Sequence, residues 1–150
     1  MDLKFASLVE RLHPLFTALV AGPPITKGKS VPLQGVYLFS EGTDHLYVGR
    51  SNRMPARFRD HRSANHKTAA FAFILACETF GRGKASYKPE GSRDALMQVP
   101  AFRAAFDNAR ERIRRMDFRA VEENDQTCQT LLEVYCAVAL GTPHNDFRTH

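Results

Sequence analysis

Two short apolar segments lie close together in the stretch GVYLFSEGTDHLYVG, residues 35–49. Each is rich in valine, leucine and aromatic residues, each contains a glycine and a tyrosine, and the polar loop SEGTDH separates them. Residues 34–40 and 45–50 are therefore predicted to be two β-strands. Because the connection is too short for a crossover helix, the two strands are predicted to pair as an antiparallel hairpin.

The relative orientation of the two tyrosines depends on the register of this hairpin. If Ser40 pairs with His45, Tyr37 and Tyr47 point to opposite faces of the sheet. One bulge, or a loop of three or five residues, shifts the register and puts both phenols on one face. Gly42 can supply the left-handed residue that such a turn needs. The sequence leaves both registers open. It therefore also leaves open whether the two phenols only pack in the sheet or take part in a reaction.

Hydrophobic periodicity in the rest of the chain predicts five helices and a third strand. The helices are expected at residues 3–20, 55–63, 67–80, 100–115 and 126–140, and the strand at 117–122. Pro14 is expected to kink or split the first helix, because proline removes a backbone donor. The pattern predicts an α+β fold in which helices surround a small mixed sheet.

Length and composition favour one domain with one hydrophobic core. The chain has 150 residues, of which 43% are hydrophobic, and it contains no apolar run long enough to span a membrane. The N-terminal segment carries acidic residues and lacks a cleavage site, so it is not read as a secretory signal. Three scattered cysteines without metal-binding spacing, Cys77, Cys128 and Cys136, suit a reducing cytoplasm.

Positive charge is concentrated in two segments of the chain. The net charge is +5; residues 50–67 hold six Arg and Lys against one acid, and residues 82–119 hold ten against five. Residues 120–150 hold one basic residue against five acids. A basic face of this kind attracts a polyanion, of which nucleic acid is the usual one. A basic surface that only contacts solvent is the alternative.

Arg57 and His61 are four residues apart and are predicted to share one helix face. The planar guanidinium of an arginine matches phosphate oxygens, and an imidazole can transfer a proton near neutral pH. The pair therefore suits a phosphodiester substrate. An ordinary exposed polar face would give the same pattern.

Glu133 is the one charged residue in the predicted helix 126–140, which is apolar nearly all round, so its side chain is expected to be buried. A buried carboxylate needs a buried arginine, a proton or a metal ion to compensate its charge. A structural salt bridge to Arg57 or Arg119 is one solution. Asn145 follows the helix, where it can orient a site group or serve as an ordinary turn residue.

Taken in chain order, these features resemble the GIY-YIG nuclease family. The residues that carry the resemblance are Gly35-Val36-Tyr37, Tyr47-Val48-Gly49, Arg57, His61, Glu133 and Asn145. Valine replaces isoleucine in both tripeptides. The resemblance extends from about Gly35 to Asn145, although residues 64–125 match in layout more than in sequence.

The resemblance implies a three-stranded antiparallel sheet flanked by helices and the hydrolysis of DNA phosphodiester bonds. Residues 35–147 would form the catalytic core, preceded by a helical extension and linker at residues 1–34. The implied catalytic residues are Tyr37, Tyr47, Arg57, His61, Glu133 and Asn145, with Glu133 holding one Mg²⁺ or Mn²⁺ ion. Gly35 and Gly49 would serve the shape of the backbone. Tyr37 and His61 both remain candidates for the general base.

The stretch between His61 and Glu133 is long and contains a basic loop and helix. Restriction-type members of the family build DNA recognition into such additions, so double-stranded DNA is the expected partner and a homodimer is possible. The expected DNA contacts are Arg50, Arg53, Arg59, Arg62, Lys67, Arg82, Lys84 and Lys88. A non-catalytic nucleic-acid-binding module and a repair or mobile-element nuclease are the alternatives.

Overall fold

The computed structural model describes residues 1–81 and 92–149. The chain forms two compact units, one of Met1–Arg57 with Met116–His150 and one of Phe58–Arg115. The elements are α1 (Leu3–Ala21), β1 (Gly35–Glu41), β2 (Asp44–Ser51), α2 (Met54–Asp60), α3 (Ala70–Thr79), α4 (Arg93–Met97), α5 (Pro100–Arg114), β3 (Asp117–Glu122) and α6 (Gln126–Leu140). The α+β class, with a three-stranded antiparallel sheet flanked by helices, is confirmed.

The sheet of the first unit has the order β2-β1-β3, and both strand pairs are antiparallel. Gly42, at φ 59°, lies in the tight turn between the paired residues Glu41 and Asp44. Ser40 pairs with His45, but Phe39 pairs with Tyr47, so Leu46 is an extra residue in β2. This extra residue forms a β-bulge, which shifts the alternation of side chains in the rest of the strand.

Helices α1 and α6 pack against one face of the sheet. The shared core consists of apolar residues from both helices and two strands: Leu12, Leu19, Val36, Leu38, Val48, Cys128, Leu132 and Cys136. Helix α1 continues through Pro14 without a break, so of the kink or split expected there, the split is wrong. The N-terminal segment therefore contributes directly to the core of the sheet unit.

The two ends of α6 are set by local capping. The Asp125 side chain accepts a hydrogen bond from the Cys128 backbone N–H at 2.7 Å, as an N-cap does. Gly141 ends the helix at φ 63°, a left-handed conformation that glycine adopts at little cost. These caps fix the position of Glu133 within the helix, and the predicted bounds of 126–140 are confirmed.

The other face of the sheet carries an aromatic layer. The rings of Tyr37, Phe39 and Phe118 contact one another, with centroid separations between 5.1 and 5.9 Å. All three side chains are at most 1% exposed. Aromatic contacts of this kind add to the free energy of burial and hold the rings in place.

The second unit is helical in its described part. Its core contains Phe71 and Phe73 from α3 and Phe102 and Phe106 from α5. Helix α2 ends at Asp60, three residues earlier than expected, and His61 lies in the turn that follows. The predicted helix end near residue 63 is therefore wrong, and His61 lies just past the helix that contains Arg57. Among the described residues, no helix combines the length and the apolar character needed to cross a bilayer.

Gly49 has no room for a side chain. A Cβ atom added there would lie 2.2 Å from Cζ and from the hydroxyl oxygen of Tyr37, whose ring is buried and packed on two phenylalanines. We expect Gly49→Ala to lower the free energy of unfolding by about 1 to 3 kcal/mol, the usual cost of overpacking. Chemical denaturation measures this loss.

A Tyr37→Ala background tests the cause. Without the ring, the three atoms that would lie nearest to the added methyl group are absent, so Gly49→Ala should then cost much less. An equal cost in both backgrounds would show that the glycine is needed for some other reason.

Candidate active site

The bulge at Leu46 brings Tyr37 and Tyr47 to one face of the sheet. Tyr47 lies directly opposite Phe39, and Tyr37 lies two positions from Phe39 on the same strand. Residues at these positions share a face, because side chains alternate along a strand. Of the two registers that the sequence left open, the structure has the one with a bulge. Tyr37 is buried, whereas Tyr47 is half-buried.

Two glycines allow the backbone to approach closely around the first tyrosine. The ring of Tyr37 lies across Gly49, its direct partner on β2, in the space that a side chain would occupy. At the start of β1, a Cβ atom on Gly35 would lie 1.9 Å from the carbonyl oxygen of Val121 on β3. Both positions therefore require glycine for steric reasons, in line with the backbone roles expected for them.

Arg57 hydrogen-bonds to the Tyr37 side chain, with the guanidinium donating to the phenol oxygen. Burial raises the pKa of the Tyr37 phenol well above its usual range, and the nearby Tyr47 and Glu133 raise it further. The positive charge of Arg57 opposes this rise only in part. Tyr37 is therefore protonated at neutral pH. Tyr47, Arg57 and Glu133 therefore all lie close enough to Tyr37 for their charges to affect its pKa.

Glu133 is half-buried and forms an ion pair with Arg50, whose Nε donates to Oε2 at 3.2 Å. The side chain of Glu133 retains 22% exposure, so it is less buried than expected. Its partner is also neither Arg57 nor Arg119, which donates to the backbone carbonyl of Gly22 at 2.9 Å. Burial raises the pKa of Glu133, and Arg50 opposes this effect only in part.

The carboxylate of Glu133 suits a hard divalent cation. Its Oε1 accepts no hydrogen bond within residues 1–81 and 92–149, and its raised pKa means that Arg50 does not fully compensate its charge. Within the same residues, no group of three or more His, Cys, Asp or Glu side chains is arranged to hold a metal ion. A cation here would have one protein carboxylate as ligand. Such sparse ligation is usual for Mg²⁺, which keeps water and substrate phosphate oxygens in its shell.

Asn145 attaches the segment after α6 to strand β2. Its Oδ1 accepts hydrogen bonds from the Val48 backbone N–H at 2.9 Å and the Thr142 hydroxyl at 2.7 Å, and its Nδ2 donates to the Val48 carbonyl at 2.8 Å. Val48 separates Tyr47 from Gly49. Asn145 therefore ties the segment after α6 to the part of β2 that lies between Tyr47 and Gly49.

His61 is a residue of the second unit, whereas the other five candidate catalytic residues belong to the first. Its side chain is buried, in the turn after α2. Its predicted role in proton transfer stays a prediction.

The expected DNA contacts differ in their exposure. Arg50, Arg53, Arg59 and Lys67 are exposed, and Arg62 is half-buried. Arg82, Lys84 and Lys88 lie outside the described residues. The role of Arg50 as the partner of Glu133 was missed, although the need of Glu133 for a counter-charge was the signal. Several arginines met that need equally well in the sequence.

Comparison with known proteins adds no relative to this picture. No protein-family model, curated protein or solved structure matches the chain. The resemblance to the GIY-YIG nuclease family therefore stays a prediction, which depends on the residues themselves and on their arrangement.

The bonds of Asn145 predict a stability effect. We expect Asn145→Ala to lower the free energy of unfolding by about 1 to 3 kcal/mol, because it leaves the buried N–H of Val48 without its acceptor. Thermal and chemical denaturation measure the loss. Asn124→Ala is the control, since Asn124 is exposed, and its effect should stay within about 0.5 kcal/mol. Equal stability of the two variants would contradict the role assigned to Asn145.

Proposed function

We propose that the chain is a metal-dependent endonuclease that hydrolyses phosphodiester bonds of double-stranded DNA, of a restriction or other defence type. The observation that carries the proposal is the convergence of Tyr37, Tyr47, Arg57 and Glu133 in one unit. Two phenols, a fixed cation and an undercompensated carboxylate form a set suited to a phosphate group.

Arg57 is the residue that we assign to the phosphate group. Its guanidinium already contacts the Tyr37 hydroxyl, so one end of the side chain is held in a defined position. A pre-positioned guanidinium stabilises charge on the non-bridging oxygens of the transition state. Tyr37, protonated at neutral pH, can donate a hydrogen bond to an oxygen of the substrate or of the attacking water. Tyr47 positions that water or its neighbour.

Glu133 is the residue that we assign to a Mg²⁺ or Mn²⁺ ion. When bound, such an ion offsets negative charge on the phosphate and on the leaving oxygen. Arg50 now holds the same carboxylate, so the arginine and the cation compete for it. Release from Glu133 would free the Arg50 guanidinium for a phosphate of the DNA.

The proton acceptor for the attacking water is restricted by the pKa of Tyr37. Because that pKa is raised, Tyr37 can act as a base only when positive charge beyond that of Arg57 lowers it again. His61 is the other candidate, since an imidazole accepts a proton near neutral pH. A Tyr37→Phe variant that keeps its turnover would assign the role to His61.

The proposal predicts that Glu133→Gln abolishes metal-dependent cleavage without loss of stability. Incubation with supercoiled plasmid, with and without Mg²⁺, measures cleavage, and nicked or linear product reports single- or double-strand cutting. The pKa of Glu133 is raised on folding, so its ionised form weakens the fold above the unfolded-state pKa. A neutral glutamine should therefore leave the melting temperature unchanged or slightly higher.

Glu122→Gln is the matched control, because Glu122 is an exposed glutamate at the end of β3 and should leave cleavage intact. Full cleavage by the Glu133→Gln variant, or a loss of several degrees in melting temperature, would exclude the role proposed for Glu133.

A non-catalytic nucleic-acid-binding module is the second candidate, favoured by the ion pair that already occupies Glu133. Binding through basic residues would fall steeply with salt and would survive a chelator. Binding of DNA by the wild type in EDTA, without cleavage in Mg²⁺ or Mn²⁺, would support this alternative over the nuclease.

The competition at Glu133 predicts that Arg50→Gln binds Mn²⁺ more tightly than the wild type. An exposed ion pair contributes about 0.2 to 1 kcal/mol, so we expect an increase in affinity of up to about fivefold. Electron paramagnetic resonance of free Mn²⁺ measures it in the absence of DNA. Arg53→Gln, an exposed neighbour, should match the wild type, and Glu133→Gln should not bind. Equal affinities of the Arg50→Gln variant and the wild type would contradict the competition.

A further inference from the structure

The guanidinium of Arg62, in the second unit, is held in place without a carboxylate. It lies over the ring of Phe58, 3.7 Å from the ring centroid, and donates to the Phe58 carbonyl oxygen at 3.3 Å. The stacking and the backbone hydrogen bond fix the plane of the guanidinium. Binding of an anion would therefore cost little further side-chain entropy. Arg62 is half-buried, so part of the residue remains exposed to solvent.

A second guanidinium is held against the backbone of Arg62. At the end of α5, Arg114 donates from one terminal nitrogen to the Arg62 carbonyl oxygen at 3.0 Å. Its other terminal nitrogen donates to Glu111 at 2.5 Å. After burial, the nearby charge of Arg114 is the second cause that lowers the pKa of Arg62, as expected for like charges close together.

The charges around this pair do not balance. In the part of the chain that the structure describes, Arg62 has no carboxylate partner, and the one acid that pairs with Arg114 leaves an excess positive charge. Arg110, on the same helix, pairs with Asp107 at 3.1 Å and shows the usual compensation. Two arginines close together, with more positive charge than the nearby carboxylate compensates and with N–H donors not used in these bonds, suit an external anion.

We propose that Arg62 and Arg114 form a subsite that binds one backbone phosphate of the DNA substrate. The inference rests on the proposed function, because it takes the anion to be part of a nucleic acid. The two planar forks together present donors of the geometry that a phosphate accepts. Exposed arginines nearby in the chain, Arg59 and Arg115, extend the positive surface beyond a single ion and favour a polyanion.

Binding of a short fluorescein-labelled duplex in EDTA, followed by anisotropy over a range of NaCl concentrations, tests the subsite apart from catalysis. Arg62→Gln, Arg114→Gln and the double variant are compared with the wild type. Loss of one phosphate contact should reduce the slope of log K against log salt by about 0.9. Since both arginines hold the same phosphate, each single variant should lose most of the affinity that the double variant loses.

Arg103→Gln is the matched control, since Arg103 is an exposed arginine near the other end of α5. It should bind within about twofold of the wild type, as expected of a charge outside the contact. A loss as large as that of the double variant would show that diffuse charge, and no defined subsite, holds the DNA. Additive losses from Arg62→Gln and Arg114→Gln would also overturn a shared phosphate.

Two further arms keep the outcome clear. Arg62→Lys retains the charge but loses the planar fork. This variant should have the melting temperature of the wild type but bind DNA more weakly. Binding equal to that of the wild type would contradict the subsite. Inorganic phosphate at matched ionic strength tests a free anion. If the double variant loses phosphate binding but keeps its affinity for DNA, the site serves a small anion and the inference fails.

Failure of the subsite and failure of the nuclease proposal are separable. Wild-type binding that the variants retain would remove the subsite and leave the nuclease intact. A wild type that binds no DNA at any salt concentration would remove both. Cleavage lost in Glu133→Gln, together with weakened binding in the double variant, would support both.

Discussion

One extra residue in strand β2, Leu46, determines whether this chain has a candidate active site. Without the bulge, Tyr37 and Tyr47 would lie on opposite faces of the sheet, because a shift of one residue inverts every side chain beyond it. With the bulge, both phenols lie on one face, and the ring of Tyr37 crosses Gly49 towards β2. Proteins often use a bulge next to a functional site to redirect a side chain.

The electrostatics of the site follow from this arrangement. A buried phenol and a half-buried carboxylate both have raised pKa values, and the two arginines near them, Arg57 and Arg50, compensate only part of the cost. A site of this kind gains stability from further positive charge. In the proposed nuclease that charge comes from the divalent ion, and this explains how one protein carboxylate could suffice.

Helix α6 contributes both to the core of the first unit and to the candidate active site. Its apolar residues pack with α1 and the sheet, while Glu133 and, just past the helix, Asn145 contact groups on β2. Because Asp125 and Gly141 define its ends, the helix cannot slide without losing its caps. The contacts that stabilise the fold therefore also set the positions of Glu133 and of Asn145, whose side chain hydrogen-bonds to the Val48 backbone.

Local chemistry alone specified much of the architecture. The bounds of α6 and of β3 agree with the predictions, since a cap or a run of alternating residues acts within a few positions of the chain. The antiparallel pairing of β1 and β2 also agrees with the prediction, since the connection between them is short. Tertiary contacts decided the rest: the bulge at Leu46, the early end of α2, and the choice of Arg50 as the partner of Glu133. A strand register depends on hydrogen bonds across the sheet, and an ion pair between residues 83 positions apart depends on packing. Neither the register nor the ion pair can be inferred from residues that are adjacent in the sequence.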